Sequence, residues 1–103
     1  MARFDVCRLH DGGLVLDVQA DILDELRTRI IVPLLKRDEA PPPAKYLNPV
    51  FHIDGQDYVM KTEFLSAVNR SALSQPITNL APYSTEITRA LDMAFQGLSL
   101  IHI

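Results

Sequence analysis

The chain has 103 residues, of which 48% are hydrophobic and 22% charged, proportions typical of one globular domain with an apolar core. The net charge of −3 argues against direct nucleic-acid binding unless a local basic patch exists. The single cysteine, Cys7, excludes an internal disulfide, and the lack of a secretory leader or a long apolar run predicts a cytoplasmic protein with no membrane span.

The N-terminal part of the chain predicts an antiparallel hairpin and a further strand. Residues 3–9 and 14–19 alternate polar and apolar side chains, and Asp11-Gly12-Gly13 between them is a turn signal. Arg29–Leu34 is rich in β-branched residues, but Pro33 has no N–H for a ladder. We therefore expect this strand to bulge at Pro33, to lie at an edge, or to end there.

The middle of the chain predicts a stiff loop and a second hairpin. Residues 36–43 are charged and end in three prolines, which favours an extended segment. Val50–Ile53 and Gln56–Met60 flank Asp54-Gly55, the preferred pair for a type I′ turn. Residues 61–70 fit a short strand or a helical turn equally well, and residues 75–78 a connection or a short strand.

The C-terminal part predicts a helix that Ser84 or Thr85 caps and Gly97 ends. Its apolar stripe, at spacings of three and four residues, consists of Ile87, Ala90, Leu91, Ala94 and Phe95. Strands followed by one terminal helix indicate a mainly β fold, a small antiparallel barrel or roll on which the helix packs.

Candidate catalytic and metal-binding residues are few. The histidines (His10, His52 and His102) lack a second ligand at metal-binding spacing, and Cys7 in a strand pattern is best interpreted as a buried, inert thiol. The acidic group Asp17, Asp21, Asp24 and Glu25 fits turn caps and a solvated face, while Arg27 and Arg29 form at best a weak phosphate-binding patch. The residues themselves thus predict a small binding domain with no catalytic residue, metal or cofactor.

Four collinear segments resemble the CcdB family, the toxins of toxin–antitoxin modules. They are Leu16–Asp24 (LDVQADILD), Arg29–Leu34 (RIIVPL), Asn48–Ile53 (NPVFHI) followed by Met60 and Thr62, and the helix end with Phe95, Gly97 and Leu98. The resemblance implies an SH3-like five-stranded antiparallel barrel with a C-terminal α-helix. Residues 1–98 would form one toxin domain, and residues 99–103 a C-terminal extension that is either native or derived from an expression vector.

The resemblance also implies a function that needs no catalysis. Relatives are two-fold homodimers that insert their C-termini into the A subunits of DNA gyrase and trap the cleaved-DNA complex. A CcdA-like antitoxin neutralises them through a segment that folds on binding, and operator DNA is reached only through that antitoxin, in co-repression of the operon. In this chain, the gyrase-binding positions of the family fall on Ile22, Leu23, Asp92, Phe95, Gln96, Gly97 and Leu98.

Two departures from the family pattern leave alternatives open. Gln96 stands where the best-known relative has a tryptophan that stacks on an arginine of gyrase, and five residues follow Leu98. One alternative is an endoribonuclease like the MazF and Kid toxins, which share the barrel but need a basic residue and a general base in one groove; the sequence offers no such cluster. The other is a CcdB-fold protein that has lost gyrase binding and acts only through its antitoxin.

Overall fold

Seven antiparallel strands and one C-terminal helix make up the fold in the computed structural model, which describes residues 2–101 and the side chains up to Gln96. The elements are β1 (Asp5–Arg8), β2 (Leu14–Asp17), β3 (Thr28–Lys36), β4 (Val50–Ile53), β5 (Gln56–Met60), β6 (Ser66–Asn69), β7 (Thr78–Asn79) and α1 (Ser84–Ile101). The strand order is β4-β5-β3-β2-β1-β7, and β6 also pairs with β3. The predicted SH3-like barrel with a C-terminal helix is confirmed, with two short strands, β6 and β7, beyond the expected five.

Both predicted hairpins form. In the first, Val6 lies opposite Leu16 and Cys7 opposite Val15, and Gly12 in the connecting turn has a φ of +93°. In the second, the central turn residues Asp54 and Gly55 have φ values of +50° and +78°, as a type I′ turn requires. These turns are decided by local backbone chemistry, so the sequence alone predicts them.

The interpretation of Pro33 was wrong, because β3 is neither an edge strand nor interrupted. Pro33 pairs with Val15 of β2 in the middle of the sheet. On its other side, β3 pairs with β6 up to Ile31 and with β5 from Leu34 onward, so Pro33 falls in the gap between two partners. Its carbonyl faces that gap and accepts a hydrogen bond from the Lys61 N–H at 2.9 Å. The missing N–H of proline therefore costs the sheet no ladder bond.

The main core lies between the inner face of the sheet and α1. Its buried residues are Phe4, Val6, Leu14, Leu16, Val18, Val32, Leu34, Phe51, Ile53, Met60, Leu80, Ile87 and Ala90. A smaller cluster of Cys7, Val15 and Ile31 covers the opposite face. Residues 61–70, for which a short strand and a helical turn fitted equally well, contain both: a 3-10 turn at Thr62–Phe64 is followed by β6.

Three expectations about the helix were wrong: its apolar stripe, its cap and its end. Ile87 and Ala90 are fully buried and Leu91 and Ala94 half-buried, but Phe95 is 62% exposed. At 100° per residue Phe95 lies about 80° from Ile87, at the edge of the stripe. A 3-10 turn at Ala81–Tyr83 leads directly into the helix, so Ser84 is already helical and does not cap it. The cap lies before that turn, where the Asn79 Oδ1 accepts from the Ala81 N–H at 2.8 Å. The helix continues past Gly97 to Ile101.

Candidate partner-binding surface

A turn after β2 carries a group of exposed aliphatic side chains. We call residues Asp21–Leu26 the aliphatic turn; its first three residues form a 3-10 turn in which no residue is buried. Ile22 is 90% exposed, Leu23 42% and Leu26 48%. Aliphatic side chains gathered outward in this way are typical of an interaction site rather than of a core. Two of the predicted gyrase-binding residues, Ile22 and Leu23, thus lie on the surface.

A buried cation holds the base of this turn. Arg29 of β3 is 0% exposed, and its Nε and Nη2 both lie 2.7 Å from the Asp17 Oδ2 at the end of β2. Its Nη1 donates to the Asp24 Oδ1 at 2.9 Å, within the aliphatic turn. One guanidinium therefore joins two strands to the turn.

Further polar ties close the turn. The Gln19 side chain accepts from the Ile30 N–H at 3.1 Å and donates to the Leu23 carbonyl at 2.7 Å. Arg70, after β6, donates to the Asp24 carbonyl and lies 3.4 Å from its carboxylate. The Leu16–Asp24 motif that carries the family resemblance is thus a set of side chains that shapes one surface turn.

The burial of these charges corrects two expectations. Asp17 is 1% exposed rather than part of a solvated acidic face, and Arg29 is not available to contact phosphate. Burial raises the pKa of the Asp17 carboxyl above its ordinary value, and the Gln19 N–H and Arg29 oppose that rise. The sequence did not reveal this pairing, because Asp17 and Arg29 lie twelve positions apart on two strands.

The exposed side of α1 carries the second predicted group. Asp92, Phe95 and Gln96 are all exposed, and spacings of three and four residues place them on one side of the helix. Gly97 and Leu98 belong to the same helix, where the structure describes the backbone but not the burial of these two residues. Asp92 also borders an open groove of about 420 Å³ whose other lining residues are Ser84, Thr85, Thr88 and Arg89.

An aromatic residue that the sequence did not single out, Tyr46, lies beside this groove. The Arg89 guanidinium lies 4.7 Å from the centre of the Tyr46 ring, and the Lys45 Nζ lies 5.0 Å from it. Tyr46 has a φ of +67°, a backbone conformation that costs a bulky side chain energy. The side chain of Asn48 stabilises this loop by accepting from the Ala44 N–H at 3.0 Å. Neither the conformation nor the contact with Arg89, 43 positions away, has a signal in the sequence.

The two predicted groups are held by different elements. The aliphatic turn is tied to β2, β3 and Arg70, whereas α1 packs on the 3-10 turns at Thr62–Phe64 and Ala81–Tyr83. Within one chain they are thus two groups of exposed side chains on different elements, one aliphatic and one mixed.

A third surface region brings together residues that the sequence separated. His52 and Asp57 are opposite each other on β4 and β5, and the Nδ1 of His52 lies 2.8 Å from the Asp57 Oδ1. Arg37 lies 3.9 Å from the same carboxylate, and all three line an open groove of about 440 Å³ with Asp38, Gly55 and Gln56. The expectation that no such residues come together was therefore wrong: hairpin pairing places His52 beside Asp57, and the 3-10 turn after β3 places Arg37 near them.

Other candidate chemistry is limited in the described part of the chain. Cys7 is 1% exposed, which confirms the predicted buried thiol, and burial, with the nearby Asp5 and Asp17, raises the pKa of this thiol to about 11. Within residues 2–96, no group of three or more His, Cys, Asp or Glu side chains is arranged to hold a metal ion. No helix in the described residues combines the length and apolar character needed to cross a bilayer. His10 is exposed and lies 3.0 Å from the Ser71 carbonyl, and His102 is outside the described residues.

Comparison with known proteins identifies the family. A similar solved structure is an endoribonuclease in complex with its cognate antitoxin from a mycobacterial species, with a TM-score of 0.78 and 14% identity over 93% of this chain and 95% of that one. At this identity the likeness shows the fold alone. The model of the CcdB family, described as CcdB protein, matches residues 3–97. The chain therefore belongs to the CcdB family of toxins.

Proposed function

We propose that this toxin of a toxin–antitoxin module acts by binding the A subunit of DNA gyrase and trapping the cleaved-DNA complex. The observation that carries the proposal is the exposure of the positions at which the family binds gyrase. Ile22 is 90% exposed and Phe95 62%, although both are apolar and either could have belonged to the core. A large apolar side chain that passes from water into a partner contributes about 1.5–3 kcal/mol, so these two residues are suitable anchors.

The proposal includes a homodimer, since relatives bind gyrase with paired C-termini. Exposed apolar side chains beyond the two contact groups are consistent with further surface being covered: Phe64 is 58% exposed and Met93 40%. Sedimentation at micromolar concentration tests this directly, and a monomer there would contradict it. A CcdA-like antitoxin is the other proposed partner, and it alone would contact operator DNA in co-repression of the operon. The toxin and antitoxin together would serve plasmid maintenance.

Gln96 sets how strongly this chain would bind. Its amide can hydrogen-bond but cannot stack on a guanidinium, an interaction worth on the order of 1–2 kcal/mol. Gln96→Trp should therefore strengthen gyrase binding by about 5–30-fold. No gain in affinity would show that Gln96 does not face the same gyrase group.

The decisive experiment adds purified protein to gyrase and supercoiled DNA and measures cleaved DNA. We expect the wild type to accumulate cleaved complex, and Ile22→Ala and Phe95→Ala to need about tenfold more protein for the same effect. Ile77→Ala is the matched control, because Ile77 is apolar and 39% exposed but lies near β7. A wild-type protein that leaves gyrase unaffected would overturn the proposal.

A second candidate function is RNA cleavage, favoured by the groove that holds His52, Asp57 and Arg37. Asp57 can orient the His52 ring as a general base, and Arg37 can contact a phosphate. The carboxylates of Asp38 and Asp57 oppose binding of a polyanion, so this candidate ranks second.

An RNA cleavage assay with His52→Ala, and His10→Ala as the control, separates the candidates. Fragments that disappear only in His52→Ala would replace the gyrase proposal with an enzymatic one. If the protein neither traps the gyrase complex nor cleaves RNA, but binds its antitoxin tightly, a toxin fold that acts only through its antitoxin would be favoured.

A further inference from the structure

The aliphatic turn has no fully buried residue in its 3-10 segment. Ile22 is 90% exposed, and Leu23 and Leu26 are 42% and 48% exposed. Surface turns of this kind are usually the least stable parts of a fold, because few buried contacts oppose their opening. Its polar ties are therefore important for the order of this turn.

Those ties lie on both sides of Ile22. The Asp21 Oδ1 accepts from the Arg3 N–H at 2.9 Å, before Ile22. Gln19 donates to the Leu23 carbonyl at 2.7 Å, which fixes the residue after Ile22. Arg29, 0% exposed, and Arg70 both contact Asp24, the next residue along. Together these ties restrict the direction in which the Ile22 side chain leaves the surface.

General stability is a poor explanation for this arrangement. Placing Arg29 and Asp17 in the protein interior removes their hydration, which opposes folding, and apolar residues of similar volume are often equally stabilising. What an apolar replacement cannot supply is a set of directional bonds reaching out to a solvent-exposed turn. Directional bonds are needed where geometry has to be held without burial.

We propose that Gln19, Asp24 and Arg29 are positioning residues that hold the aliphatic turn in its binding-ready conformation. This inference rests on the proposed function only for the identity of the partner. A preordered turn loses little conformational freedom on binding, whereas a mobile one must be ordered by the partner. Ordering even one or two residues lowers affinity by about tenfold or more.

The test compares Asp24→Asn with Glu25→Gln. Both variants remove one negative charge from the same turn, but only Asp24 is bonded to Arg29 and Arg70. Asp24→Asn leaves the buried Arg29–Asp17 pair intact, so the variant should fold. Hydrogen exchange of the amides of residues 21–26, thermal unfolding, and the dissociation constant for the gyrase A subunit are measured for each variant.

We expect Asp24→Asn to exchange its turn amides at least about tenfold faster and to bind about tenfold more weakly, with a thermal midpoint close to wild type. Glu25→Gln should match the wild type in all three. A purely structural role would lower the midpoint and leave the affinity of the folded protein unchanged.

The exchange measurement decides the inference even if gyrase is not the partner. Wild-type exchange rates in the turn of Asp24→Asn would overturn it. Wild-type affinity in Asp24→Asn would also overturn it when Ile22→Ala does weaken binding. If Ile22→Ala has no effect on gyrase binding, the proposed target fails, and faster exchange in Asp24→Asn would still support the positioning role.

Discussion

The aliphatic turn and the terminal helix both present predicted contact residues, but opposite chemistries hold them. The turn has apolar side chains on its outside and a buried ion pair beneath it, with Arg29 of β3 fully buried and Ile22 90% exposed. The helix has the usual order, with Ile87 and Ala90 buried and Asp92 and Gln96 exposed.

This difference separates two tasks of side chains, stabilising the fold and fixing the orientation of a surface group. The apolar stripe of α1 stabilises the fold without fixing the direction of any one group, because the hydrophobic effect is non-directional. The ion and amide ties beneath the turn give less net stability but fix bond directions. A surface that must present Ile22 in one orientation needs the second kind of contact.

The largest effect should come from removing the cation beneath the turn. Arg29→Met would leave the Asp17 carboxylate, 1% exposed, without its partner. The free energy of unfolding in urea should fall by about 3–5 kcal/mol. The double variant Asp17→Asn/Arg29→Met removes the orphaned charge and should recover part of this loss. A loss below about 1 kcal/mol in the single variant would mean that the pair is not buried.

The helix should respond to loss of an apolar side chain instead. Ile87 is 0% exposed in the main core, so Ile87→Ala should lower the free energy of unfolding by about 2–4 kcal/mol. Unlike Arg29→Met, this variant should leave hydrogen exchange in the aliphatic turn unchanged after correction for global stability. Faster exchange in the turn would show that the two regions are coupled.

The Cys7 thiol lies near the buried charge, and its pKa is raised first by burial and then by Asp5 and Asp17. The thiol titrates at about 11 in the folded chain against 9.0 in the unfolded one, so it favours folding below pH 9 and this contribution is lost as pH rises to 11. The alkaline fall in stability should be on the order of 1–2 kcal/mol smaller in Cys7→Ala than in wild type. Equal alkaline profiles would contradict the raised pKa.

The smallest effects on stability should come from the exposed apolar residues. Ile22→Ser and Phe95→Ser should change the free energy of unfolding by less than about 0.5 kcal/mol, because neither side chain is buried. The contrast between Ile22→Ser and Ile87→Ala compares an exposed isoleucine with a buried one. A loss above about 1 kcal/mol at Ile22 would place it in a dimer interface or core.

Local chemistry explains which parts of the fold could be predicted from the sequence. Asp54-Gly55 needs no distant contact to form its turn, and the helical spacing of Ile87, Ala90 and Leu91 is visible in the chain itself. The expectation for Pro33 was wrong because it depended on contacts between distant parts of the chain. Whether a missing N–H matters depends on which strand lies opposite, and the gap between β5 and β6 is a property of the assembled sheet.

The candidate site follows the same division. The family motif selected Ile22, Leu23, Asp92, Phe95 and Gln96, and the structure places all five on the surface. The motif did not reveal that Asp17 and Arg29 are buried partners, nor that His52 and Asp57 meet on one hairpin face with Arg37 beside them.

The sequence by itself determined the hairpins, the helix, the mainly β class and the family, because turn residues, side-chain periodicity and a collinear motif are properties of neighbouring positions. Only the tertiary structure decided that Asp17 and Arg29 of the motif are buried while Ile22 and Leu23 are exposed. Burial depends on what packs above a residue, and the strands that cover Arg29 and leave Ile22 in solvent come from distant parts of the chain.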